Sequence, residues 1–169
     1  MTIRIAEGTL RTKYGTCREY LYYDGKKETI ALVMGDVAGQ EAVPCRVHSA
    51  CVAGHVFNSI ECTCREEMEA AQRFIQEAGR GIVIWLDQEG KANGHFALLL
   101  SKAFKDQGLS QSAAYEAVGF KSDARDFTGA AEILADLGVV SIVLLTNNPD
   151  KTDTLTRHGV RVAGTRKIL

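Results

Sequence analysis

Two short apolar runs, Gly81-Ile-Val-Ile-Trp-Leu86 and Ser141-Ile-Val-Leu-Leu145, have no polar side. A strand with one solvated face alternates polar and apolar residues, so runs like these read as strands covered on both faces by helices. The intervening sequence supplies the helices. Between Arg65 and Ala78 the residues Met68, Ala71, Phe74, Ile75 and Ala78 fall at three- and four-residue steps with charges between them, and Gly79 stands where such a helix stops. Phe96 to Asp106 and Thr128 to Leu137 read the same way, the second stopped by Gly138. Asn148-Pro149 sets a capping side chain before a proline suited to a first turn, so a last helix is expected to about His158-Gly159.

The first quarter of the chain has a different rhythm. Thr16 to Tyr23 and Glu28 to Met34 read as strands joined across Asp24-Gly25-Lys26-Lys27, a hairpin signal, and residues 44–50 as a further strand. The expected fold is α/β (α+β): a single domain over residues 1–169, with a mixed β-sheet flanked by helices and an N-terminal β-hairpin region. The segment Gly108 to Asp126 is the least periodic and is the candidate for a mobile functional stretch.

With 20 Lys+Arg against 21 Asp+Glu, the chain lacks the cationic excess of a dedicated nucleic-acid binder. No apolar run reaches the roughly 18 residues of a membrane span, and the N-terminus lacks the order of a signal peptide, so a cytoplasmic protein is expected. Five cysteines in a reducing compartment argue against a disulfide framework. Cys17 and Cys45 fall in expected strands and read as core.

Cys51, Cys62 and Cys64 have the spacing C-x10-C-x-C. Structural zinc sites usually pair their cysteines in C-x2-C knuckles, whereas three thiolates leave one coordination position open, as in catalytic sites where the metal activates a water. Cys64 also directly precedes the expected helix at Arg65, where unpaired backbone N–H groups favour a thiolate. Three cysteines buried as small apolar residues is the alternative. His48 and His55 rank below the thiols as ligands.

The order of the motifs Arg46-Val-His-Ser-Ala-Cys51, Cys62-Thr-Cys64, Asp87-Gln-Glu-Gly-Lys91, Ser122-Asp-Ala-Arg-Asp-Phe127 and Leu144-Leu-Thr-Asn-Asn-Pro149 resembles the GTP cyclohydrolase II family over essentially the whole chain. The resemblance implies an enzyme that opens the imidazole ring of GTP, releases formate and pyrophosphate, and so starts riboflavin synthesis. It implies a homodimer with one zinc per subunit on Cys51, Cys62 and Cys64, and magnesium accompanying the triphosphate. It implies Asp123 as proton acceptor and Arg125 as the proposed nucleophile. Arg46, Glu89, Lys91, Thr146 and Lys151 match nucleotide contacts, and Glu67 falls where the base edge is met. Because guanidinium stays protonated in water, a clamp on the phosphoryl group suits Arg125 better than covalent attack.

Taken without the resemblance, Asp123, Arg125 and Asp126 also fit a charge cluster at a helix start, and Thr146 to Asn148 fit turn and cap chemistry. The chain departs from the family where Glu67 replaces a glutamine, Lys91 an arginine, Lys102 the active-site tyrosine, Gln111 a threonine and Ala50 a glutamate. The metal ligands and the Asp-x-Arg pair persist while groups around the base change. Altered base choice, arrest at a formamidopyrimidine, or a silent nucleotide-binding regulator are therefore the alternatives.

Overall fold

The computed structural model describes residues 1–148 and 150–169. Among them the strands are β1 (Ile3–Thr12), β2 (Gly15–Tyr23), β3 (Glu28–Met34), β4 (Val43–Ser49), β5 (Gly81–Leu86), β6 (Ile142–Leu145) and β7 (Val162–Arg166). The helices are α1 (Val52–His55), α2 (Cys64–Ala78), α3 (His95–Asp106), α4 (Gln111–Ala117), α5 (Thr128–Asp136) and α6 (Asp150–Arg157). The strands form one mixed sheet in the order β1-β2-β3-β5-β4-β6-β7. β1, β2, β3 and β5 pair antiparallel, while β5, β4, β6 and β7 pair in parallel.

The expected α/β architecture is therefore present, and its two apolar runs are β5 and β6 at the covered centre of the sheet. Helices cover both faces. On one, Ala130, Ile133 and Leu134 of α5 and Leu155 of α6 pack over Ala31, Val33, Cys45, Val47, Ile82, Ile84 and Leu144. On the other, Ala71 and Ile75 of α2 pack over Val83 and Leu145, with Leu32, Met34, Met68 and Phe74 around them. Each fully buried aliphatic or aromatic side chain contributes about 1.5–3 kcal/mol through water release. Cys17 and Cys45 are core residues, and α2 ends at Gly79 in the left-handed conformation (φ 74°).

The ends of the sheet differ from expectation. β1 is ten residues long and pairs with β2 across a two-residue turn, yet it is an edge strand with no buried face and so carries no apolar alternation. β7, at the other edge, is hidden for the same reason. The Gly108 to Asp126 stretch is not wholly irregular: Ser110 Oγ accepts from Ala113 N at 3.2 Å, capping α4, which buries Ala114 and Tyr115. The expected cap at Asn148-Pro149 cannot be followed because Pro149 lies outside the described residues.

The crossovers position the site. β4 leads through α1 and α2 to β5 on one side of it, whereas β6, its neighbour on the other side, leads through α6 to β7. Loops leaving β4 and β6 thus diverge over opposite faces and open a crevice at their carboxyl ends, where ligands of α/β sheets bind.

Candidate metal and nucleotide site

Cys51 lies two residues after β4, Cys62 lies in the loop after α1, and Cys64 is the first residue of α2. The fold brings the three sulfurs within 4.8 Å of one another, and Cys51 Sγ stands 3.7 Å from Cys62 Sγ. A tetrahedral zinc with ~2.3 Å bonds to sulfur separates its sulfurs by about 3.8 Å, so the set fits that metal. Two observations show that the cradle is built. A Cβ on Gly54 would lie 2.8 Å from Cys62 Sγ, so only glycine lets α1 approach the sulfurs. Arg65 of α2 donates to the carbonyls of Gly54 at 3.2 Å and of His55, tying the two helices together. Burial, and then the neighbouring sulfurs, raise the thiol of Cys64; burial likewise raises that of Cys51. Such thiols are poorly served without a cation among them. Among the described residues no histidine or carboxylate joins the cluster.

His48 and His55 bond each other instead. Arg46 Nε donates to His48 Nδ1 at 3.2 Å, which leaves His48 Nε2 to carry the proton toward His55 Nε2, 2.8 Å away. Burial, with Arg46 and His55 beside it, pushes the His48 imidazole down to about 3, so it stays neutral. Arg46 lies on the α2 face of β4. It donates to Leu145 O at 3.0 Å and to Glu67 Oε2 at 2.5 Å, and so spans the crevice between β4 and β6. Glu67 Oε1 accepts from Thr63 Oγ1 at 3.1 Å. Both Glu67 oxygens are therefore engaged within the protein, where the sequence suggested contact with a base edge.

The loop after β5 forms the second wall. Glu89 Oε2 accepts from Val52 N at 2.9 Å, next to Cys51. Gly90 is left-handed (φ 61°), and a Cβ there would sit 2.6 Å from Gly94 O. Lys91 Nζ donates to Ser112 Oγ at 2.8 Å, and its carbonyl accepts from Ala124 N at 2.9 Å, which draws in the loop bearing Asp123 and Arg125. Arg125 forks onto Asp123, with Nε–Oδ1 at 2.9 Å and Nη2–Oδ2 at 2.5 Å. Burial favours the neutral acid, but the Arg125 bonds and charge, with Lys91, outweigh it and hold the Asp123 carboxyl below its usual range.

Lys151, near the start of α6, is buried and donates to Val47 O at 3.2 Å. Burial, and then the charges of Arg46 and Arg125, push its ammonium down to about 8. Thr146 Oγ1 accepts from Asn148 N at 2.9 Å and donates to Asn148 O at 3.0 Å, the turn chemistry its sequence allowed. A cavity of about 410 Å³ opens beside Cys51 and Cys62, walled by Leu98 and Leu99 of α3. At its mouth Lys102 Nζ bonds Glu61 Oε2 at 3.0 Å, and Gln111 Nε2 donates to Ser101 Oγ at 2.9 Å. A wider groove of about 610 Å³ at the opposite edge of the sheet, near Ala42 and Arg161, is remote from the thiols.

A family model described as GTP cyclohydrolase II matches residues 3–167. The chain belongs to the GTP cyclohydrolase II family. It is 40% identical over 161 residues to the GTP cyclohydrolase-2 of Actinobacillus succinogenes, a match covering 94% of this chain and 74% of that protein. It is 44% identical over 163 residues to the enzyme of the same name from Streptomyces coelicolor, covering 95% and 73%. Its fold is similar to RibBX, a two-domain 3,4-dihydroxy-2-butanone 4-phosphate synthase from A. baumannii, with a TM-score of 0.54 and 20% identity; the match covers 99% of this chain and 40% of that one. As a member of the GTP cyclohydrolase II family the chain is a hydrolase, with a three-cysteine cluster able to hold a metal. The crevice of this family member also contains two groups that sequence reasoning passed over, Ser112 beneath Lys91 and Tyr115, while the histidines ranked below the thiols bond each other. Tyr115 lies in the stretch without periodicity, and neither spacing nor motif marks it.

Proposed function

We propose that this family member is a zinc-dependent hydrolase that opens the imidazole ring of GTP and releases formate and pyrophosphate. The observation that carries the reading is a set of three thiols within 4.8 Å that shares electrostatic neighbours with the Asp123–Arg125 pair: Tyr115 feels Cys51 and Asp123, and Lys151 feels Cys64 and Arg125. Cys51, Cys62 and Cys64 would hold the zinc, which would supply Lewis acidity for hydrolysis of the ring. Asp123, kept ionised, accepts a proton as the ring opens. Arg125 is already oriented by its fork and lies 5.7 Å from the Phe127 ring, which suits a fixed clamp on phosphate rather than a nucleophile. Lys91 and Lys151 add positive charge for the oxygens of the triphosphate that magnesium accompanies. Glu89 fixes the backbone at Val52 and thereby the approach to Cys51.

A cytoplasmic homodimer at the entry to riboflavin synthesis completes the proposal. The exposed apolar side chains Phe57, Ile60, Phe96 and Leu99 near the cavity support a covered face. No helix among the described residues is long and apolar enough to cross a membrane. A second reading, a changed base or arrest at a formamidopyrimidine, is favoured by the mouth of the cavity, where Lys102 is ion-paired with Glu61 and Gln111 is bonded to Ser101.

The test is to incubate zinc-loaded protein with GTP and other purine nucleotides and resolve the products by mass, with Cys62→Ala as control. Formate and pyrophosphate from GTP support the first reading, and an accumulating formylated pyrimidine the second. A zinc-loaded protein that binds nucleotides and turns none over would refute both and leave the regulator.

A further inference from the structure

Tyr115 is 1% exposed, its hydroxyl makes no hydrogen bond among the described residues, and that oxygen is not among the fully buried unpaired atoms, so the little of the residue that reaches solvent includes its oxygen. A tyrosine buried up to its oxygen offers only that O–H to whatever enters the space beside it, water or ligand. Packing therefore accounts for the ring and leaves the oxygen unexplained.

Its position explains it. The hydroxyl lies 3.3 Å from where a Cβ on Gly90 would stand, in the loop between Glu89 and Lys91, so the bare backbone there is what lets the oxygen enter the crevice. Glu89, Cys51 and Asp123 are close enough for their charges to act on it. α4 holds the ring rigidly through the Ser110 cap and buried Ala114. The donor thus lies beside the Gly90 backbone, within the electrostatic reach of groups already assigned to metal binding, orientation and proton transfer.

We propose that Tyr115 is a further substrate-contacting residue, its O–H donating a hydrogen bond to a nitrogen or carbonyl oxygen of the purine ring bound between the cysteine triad and Asp123. The inference rests on the nucleotide-hydrolase reading above and deepens it by naming a donor to the base. In the unliganded protein the hydroxyl opens on the crevice without a partner among the described residues; the ligand supplies the acceptor.

Tyr115→Phe tests it, because the ring and its packing stay. Turnover of GTP is expected to fall at least about tenfold, with zinc content unchanged and a Tm close to that of the wild type. Turnover within about twofold of wild type overturns the proposal, as does a loss that parallels a fall in Tm or in zinc, which would mark a structural role. If the wild type itself binds GTP without turnover, the hydrolase reading fails separately. The ratio of GTP affinities between wild type and variant then decides the case: about tenfold weaker binding supports Tyr115 as a contact, and equal binding overturns it.

Discussion

Arg46 and Glu67 form a nearly dry ion pair at 2.5 Å across the space between β4 and α2, with side-chain exposures of 3% and 23%. The same guanidinium also holds Leu145 O and His48, so it pins β6 to β4 where the crevice opens. Removing the cation strands a half-buried carboxylate and a carbonyl. Arg46→Ala is therefore expected to lose about 3–5 kcal/mol of stability in urea titration. Glu67→Gln, which keeps shape and one acceptor, should lose less and should bind triphosphate more tightly by freeing the Arg46 charge. Equal losses for the two variants would contradict this account.

Gly54→Ala isolates the cradle from the fold. Alanine suits a helix better than glycine by about 1 kcal/mol, but its methyl carbon would fall 2.8 Å from Cys62 Sγ. Purified protein is expected to retain its helical circular dichroism and lose most of its zinc by elemental analysis. Full occupancy would mean the sulfurs move aside freely.

Asp123→Asn separates chemistry from stability. The pair with Arg125 is partly exposed (38% and 17%), so its removal should change stability by less than about 1 kcal/mol. Proton acceptance vanishes with the carboxylate, and turnover is expected to fall by about 10²–10⁴. Steady-state kinetics beside a thermal melt checks both at once.

Lys151 makes nucleotide binding depend on pH. Its ammonium titrates at about 8 in the fold against 10.5 ordinarily. Below pH 8 both folded and unfolded chains carry the proton, and the buried charge opposes folding. Above 10.5 neither carries it and the opposition is gone. Between these values the unfolded chain binds the extra proton, so this group makes stability rise with pH. A bound phosphate restores the charge, so calorimetry at pH 8.5–9 in buffers of different ionisation enthalpy should show proton uptake that Lys151→Met abolishes.

The sequence foreshadows some parts of this molecule better than others. β5, β6 and α2 were legible because their surroundings are uniform: two covered faces leave no polar side, and one covered face leaves a stripe. β1 and β7 were not, because an edge strand is held by backbone bonds to its neighbour and demands little of its side chains. α4 escaped for a related reason: its seven residues make too short a stripe, and its one local signal is the Ser110 cap. At the site, the C-x10-C-x-C spacing and the Asp-x-Arg motif were visible because ligand identity is written in residue type.

Residue types by themselves determined that this chain carries three thiols, a carboxylate, guanidinium groups and lysines suited to metal and phosphate, and that it makes a helix-covered sheet. The tertiary structure alone decided how those charges are used. It paired Arg46 with Glu67, forked Arg125 onto Asp123, buried Lys151 beneath Val47, and left the Tyr115 oxygen unbonded over Gly90. The physical reason is that composition fixes which groups can ionise or donate, whereas dielectric, distance and partner are set by segments far apart in the chain. Only the packing of β4, α2 and the loops after β5 and β6 brings those segments within hydrogen-bonding reach.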